Sequence, residues 1–90
     1  MKYTVVSTPL ADLQLAEIWL QALDRQQVAD ASDEIHAMLR NDPEHTGRAR
    51  SGGRRVVILK PLEATFEVKA LDRLVTIVSI RFYSSLRRSS

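Results

Sequence analysis

From Leu62 to Lys69 apolar and polar residues alternate, with Leu62, Ala64, Phe66 and Val68 on one parity and Glu63, Thr65, Glu67 and Lys69 on the other. Period two with β-branched and aromatic members predicts a strand with one face on a core and the other in water. Residues 56–59 and 74–80 are apolar on both parities, the pattern of strands covered more fully. Only short breaks, at Pro61 and at residues 70–73, separate the three segments. They must therefore pair antiparallel, since a parallel return needs a crossover of about a dozen residues. A turn at Leu71, Asp72 and Arg73 keeps the facing of both strands and sets Glu63 opposite Arg81 as a cross-strand charge pair.

The first half of the chain reads as the cover of this meander. Residues 2–7 (KYTVVS) predict a short strand. Thr8 followed by Pro9 is a helix N-cap with proline at the first helical position, where its missing N–H costs nothing. In the helix that follows, Gln14, Glu17, Gln21 and Asp24 form a narrow polar strip. Leu13, Ala16, Leu20 and Leu23 lie on one side of it, and Leu15, Ile18, Trp19 and Ala22 on the other. So broad an apolar surface is expected to bury against both the sheet and another helix. Asp24 and Gln27 have the spacing of a capping box. The second helix carries Val28, Ala31, Ile35, Met38 and Leu39 on one face and stops at Asn41-Asp42-Pro43.

The expected fold is α+β, in the order β-α-α-β-β-β. It has a mainly antiparallel four-stranded sheet covered on one face by an α-helical hairpin. The first strand lies on a sheet edge, with the hairpin as the crossover. The other sheet face, with Glu63, Thr65, Glu67, Lys69, Ser79, Arg81 and Tyr83, is left open. Residues 1–83 make a single domain and residues 84–90 a basic, flexible tail.

The 90 residues suffice for one core. There is no cysteine, which excludes disulfides and thiolate metal sites. No apolar run is long enough for a membrane span and the N-terminus lacks a signal-peptide profile, so a cytoplasmic protein without a membrane partner is the default. His36 and His45 have no metal-ligand company, and neither metal nor cofactor is expected. The net charge of +2 hides an asymmetry. Residues 1–45 carry three cations against eight carboxylates, a net −5, and residues 46–90 ten against three, a net +7. Such a split points to a polyanion or an acidic partner on the sheet half. Arg48, Arg50, Arg54 and Arg55, beside Gly47, Gly52 and Gly53, read as a flexible basic lip, and Lys60, Arg87 and Arg88 extend the cationic set.

The segments TVVSTPLADLQLAEIW, LRNDPEHTGRARSGGRR, ATFEV and DRLVTIVSIRFY, in this order and spacing, resemble the RelE/ParE superfamily of toxins from type II toxin–antitoxin pairs, also called plasmid stabilisation proteins. The resemblance spans nearly the whole chain. It implies a toxin neutralised by a small cognate antitoxin, in a hetero-oligomer or alongside a homodimer. Trp19 on the wide helix reads as packing, with the lining of an antitoxin groove as its alternative role. Two mechanisms accompany the superfamily: ParE-like members bind DNA gyrase, and RelE-like members cut messenger RNA on the ribosome without a metal. Nuclease members keep an arginine on the strand matching residues 62–68 and a basic or tyrosine residue after the last strand. Arg81 and Tyr83 resemble that last site and are the catalytic candidates. The strand position expected to be arginine is Glu63, a charge reversal that favours target binding over RNA cleavage. A non-toxic antitoxin-binding relative is the third reading.

Overall fold

The computed structural model describes residues 2–83; the basic tail, with Arg87 and Arg88, lies outside them. Two helices and a five-stranded sheet follow in the order β1 (Thr4–Ser7), α1 (Pro9–Gln21), α2 (Arg25–Asn41), β2 (Arg48–Ala49), β3 (Arg54–Leu59), β4 (Leu62–Lys69) and β5 (Leu74–Phe82). The spatial order is β1-β5-β4-β3-β2. β1 runs parallel to β5 on one edge, with the helical hairpin as the crossover; the remaining pairs are antiparallel. The sheet has one strand more than expected. β2 is a two-residue strand within the stretch read as a loop, too short to leave a periodic signal.

Both helices start where their side chains cap them. Thr8 Oγ1 accepts from the Ala11 N–H (3.1 Å) and Asp24 Oδ1 from the Gln27 N–H (3.1 Å). α2 ends at Asn41, two residues before Pro43, which opens a single 3₁₀ turn, Pro43–His45. Its inner face, Val28, Ala31, Ile35 and Leu39, is buried against the sheet.

Leu62, Ala64 and Phe66 on β4 are fully buried with Val57, Val75, Ile77 and Ile80, all toward the helices. Burying a residue such as Phe66 contributes roughly 1.5–3 kcal/mol, which fixes the facing of the central strand. Residues 74–80 are apolar on both parities for a different reason from the one expected. Between Thr65 and Phe66 the β4–β5 register shifts, so Val78 is an extra residue on β5. Val75 and Ile77 face the core before this bulge, and Ile80 after it. The turn is also one residue longer than expected, since Lys69 pairs with Leu74. A four-residue turn alone would set Ile80 opposite Glu63; the bulge restores Arg81 to that place. On β3, Val57 faces the core, whereas Ile58 points to the open face and is 44% exposed.

Gly47 joins the Pro43–His45 turn to β2 at φ 67°, where a Cβ would overlap the Val56 carbonyl. Gly52, at φ 77°, has open space around it. Gly47→Ala should therefore destabilise the fold by roughly 1–3 kcal/mol, and Gly52→Ala by less, because it meets only the backbone penalty. Urea unfolding midpoints of the two variants check this ordering.

Candidate functional site

The register places the open face in rows. Arg54, Glu67 and Thr76 form one, Val56, Thr65 and Ser79 the next, and Ile58, Glu63 and Arg81 the third, with Arg48 added beside Val56 by β2. At about 4.8 Å per strand, Arg48 on β2 and Arg81 on β5 lie roughly 14 Å apart across the sheet, before any offset along it. That spacing suits an extended partner better than one phosphate.

The cations that adjoin in sequence are not one group in space. Arg54 Nε donates to Glu67 Oε2 at 2.9 Å in a partly exposed pair on the open face. Its neighbour Arg55 has the opposite parity. Arg55 donates to the Thr46 carbonyl (3.0 Å) and the Gly47 carbonyl (3.2 Å), clamping the approach to β2. The expected flexible lip is thus a built turn. Arg48 and Arg50 flank a cleft floored by Val56 and Ile58. Lys60, in the β3–β4 turn, shares a hollow with Asp24, Asp30 and Glu34 of the acidic helix rather than joining the arginines.

Arg81 is exposed and opposite Glu63, but the expected charge pair is not closed. Among the described residues the pairs within 4 Å are Arg54–Glu67 and His45–Asp42. Facing positions in a ladder do not oblige exposed side chains to meet. Tyr83 follows the last strand residue, half-buried, with its N–H on the Pro61 carbonyl at 2.8 Å.

The larger feature is one the sequence pattern assigned to the core. Of α1 only Ala11 is fully buried; Leu13 is 57% exposed, Leu20 60% and Trp19 41%. α1 rests on β5, with Leu15, Ile18 and Ala22 against the core, and meets α2 only loosely, so that among the described residues Leu13 and Leu20 stay largely uncovered. Between the helices lies a groove of about 550 Å³ lined by Leu15, Ala16, Trp19, Leu20 and Val28, with Asp12 and Asp33 at its walls. Arg25 stacks on Trp19, with the guanidinium 4.6 Å from the ring centroid and bonds to the Trp19 and Leu20 carbonyls (3.1 and 3.0 Å). The Trp19 carbonyl also accepts from the Ala22 N–H, so Arg25 reinforces the last turn of α1 and supplies a donor to the Leu20 carbonyl.

Among solved structures the chain is similar to the RelBE2 toxin–antitoxin complex of Mycobacterium tuberculosis, with 18% identity over 91% of this chain and 92% of that one and a TM-score of 0.75. It is also similar to the chromosomal ParDE system of P. aeruginosa, with 19% identity, 92% and 98% coverage and a TM-score of 0.70. The isolated RelE toxin of E. coli follows at 13% identity, 98% and 88% coverage and a TM-score of 0.65. The fold is that of the RelE/ParE toxins. No protein-family model and no curated protein matches the sequence.

On this RelE/ParE fold the open face has a carboxylate, Glu63, between Ile58 and Arg81, and a second, Glu67, engaged by Arg54. Among the described residues, Arg48, Arg50, Lys69 and Arg81 are the cations it leaves to a partner. Arg55→Ala should therefore cost about 1–3 kcal/mol through two lost bonds from a charged donor, whereas Arg48→Ala should change stability by less than about 0.5 kcal/mol. Equilibrium denaturation of both variants separates the structural arginine from the free one.

Proposed function

We propose that this chain is the toxin of a type II toxin–antitoxin pair, neutralised by a small cognate antitoxin seated in the groove between α1 and α2. The observation that carries the reading is that groove: an apolar cleft between the two helices, bordered by exposed leucines of α1. Contiguous apolar surface of this kind marks a protein-binding face. The likeness to toxins solved in toxin–antitoxin complexes supports the same assignment. Asp12 and Asp33 at the groove walls call for a partner segment with cations beside its apolar residues. An acidic stretch of the same partner would suit Arg48 and Arg50 at the far edge of the sheet.

For the action on the cell, we favour binding of a macromolecular target, DNA gyrase in the ParE manner. Cleavage of RNA needs cations around a scissile phosphate and a proton donor and acceptor within hydrogen-bond reach. Here Glu63 stands among the open-face residues beside Arg81, where it would repel a phosphate. The exposed Arg48 and Arg81 favour the second reading, a ribosome-dependent messenger-RNA endonuclease using Arg81 and Tyr83. Primer extension on messenger RNA and plasmid supercoiling, both after induction, decide between them. Discrete cuts that vanish in Arg81→Ala establish the nuclease; altered supercoiling without cuts establishes the gyrase-directed toxin.

Leu20→Glu should weaken binding of the neighbouring gene's product by roughly a hundredfold, since it buries a charge in an apolar contact, with little loss of stability at so exposed a position. Titration calorimetry on the purified pair measures it. Unchanged affinity would remove the antitoxin from the groove.

A further inference from the structure

β1 ends at Ser7, opposite Ile77, so the distal half of β5 has no strand on its outer side. α1 and its cap supply the missing partners. The Thr8 N–H donates to the Ile77 carbonyl (3.0 Å) and its hydroxyl to the Val78 carbonyl (3.0 Å). The Ile80 N–H donates to Gln14 Oε1 at 2.7 Å, in a partly buried bond. The three bonds bracket Val78, the bulged residue.

That bulge decides where the site candidates point. Continuing the register of Lys69–Leu74 without it would set Arg81 opposite Leu62, on the helix side, and Ile80 opposite Glu63 in the open. With it, Ile80 enters the core beside Ala64, and Arg81 and Tyr83 have the parity of the open face. Burial of Ile80 favours the same register, yet apolar packing offers its N–H no acceptor. A half-buried donor left without one destabilises the conformation that strands it. Gln14 belongs to a polar strip of α1 with Glu17 and Gln21, and these three side chains share a cleft with Arg81 and Phe82. The strip is thus the wall that β5 leans on where β1 gives out.

We propose that Gln14, assisted by Thr8, is a positioning residue for the open face. It holds the backbone of the bulged strand so that Arg81 and Tyr83 are presented to whatever that face binds. The functional part of this rests on the reading of the open face as a binding surface; the structural part does not. A bulge that re-aims side chains is a common device beside functional sites. Here its control lies on α1, the same helix whose other residues line the groove.

The test compares Gln14→Ala, Gln14→Glu, which keeps an acceptor oxygen, and Arg81→Ala in the full chain. Amide exchange of Ile80 should accelerate roughly tenfold in Gln14→Ala while Val75 is unchanged, and return toward the native rate in Gln14→Glu. The cross-strand Hα contact between Ala64 and Ile80, the pair whose N–H groups point away from each other, should weaken in parallel. Affinity for a short single-stranded RNA should fall in Gln14→Ala, and the double variant with Arg81→Ala should bind no more weakly than Arg81→Ala alone. Unchanged Ile80 exchange, a uniform rise along β5, or additive losses of RNA affinity would overturn the proposal. If the native protein binds no RNA, the reading of the face as a polyanion surface falls, and exchange with the Ala64–Ile80 contact decides the positioning role. Should Gln14→Ala not fold, Gln14→Met, similar in size and without the acceptor, takes its place.

Discussion

Everything in this fold is set against one dry surface, the helix-facing side of β4. Leu62, Ala64 and Phe66 are each 0% exposed, and every other element is in register with them. β3 turns Val57 toward it, β5 turns Val75, Ile77 and Ile80, and α2 lays down Val28, Ile35 and Leu39. Because side chains alternate along a strand, fixing this face also fixes its opposite: Glu63, Thr65 and Glu67 have nowhere to go but outward. The polar face is a by-product of the core.

That constraint explains which parts of the structure were readable from sequence. The alternation in β4, the caps at Thr8 and Asp24 and the stop before Pro43 are local signals, each decided by residues a few positions apart. The bulge at Val78 was not readable, because a strand apolar on both parities looks the same whether it is covered on both faces or shifts its facing midway. β2 was hidden by its length. The uncovered side of α1 was misjudged because periodicity reports that a surface is apolar and is silent about what covers it.

The cationic residues teach a related lesson. Arg48, Arg50, Arg54 and Arg55 form a dense cluster in sequence. Neighbours on a strand point to opposite faces, however, and folding divides the cluster into an ion pair, a loop clamp and two free side chains. Charge counted along a chain gives the sign of a field but not its arrangement on a surface. The place of Glu63 opposite Arg81 is legible in the sequence, though by a turn and a strand that each differ by one residue from those expected.

Trp19 is the sole tryptophan of the chain, and its ring sits at the wall of the groove beneath the Arg25 guanidinium. The protein thus carries a built-in optical probe at the place where its apolar surface is most open. An occupant that excludes water from the groove would change the polarity around this one indole, so its emission, excited where Tyr3 and Tyr83 do not absorb, would report occupancy without a label.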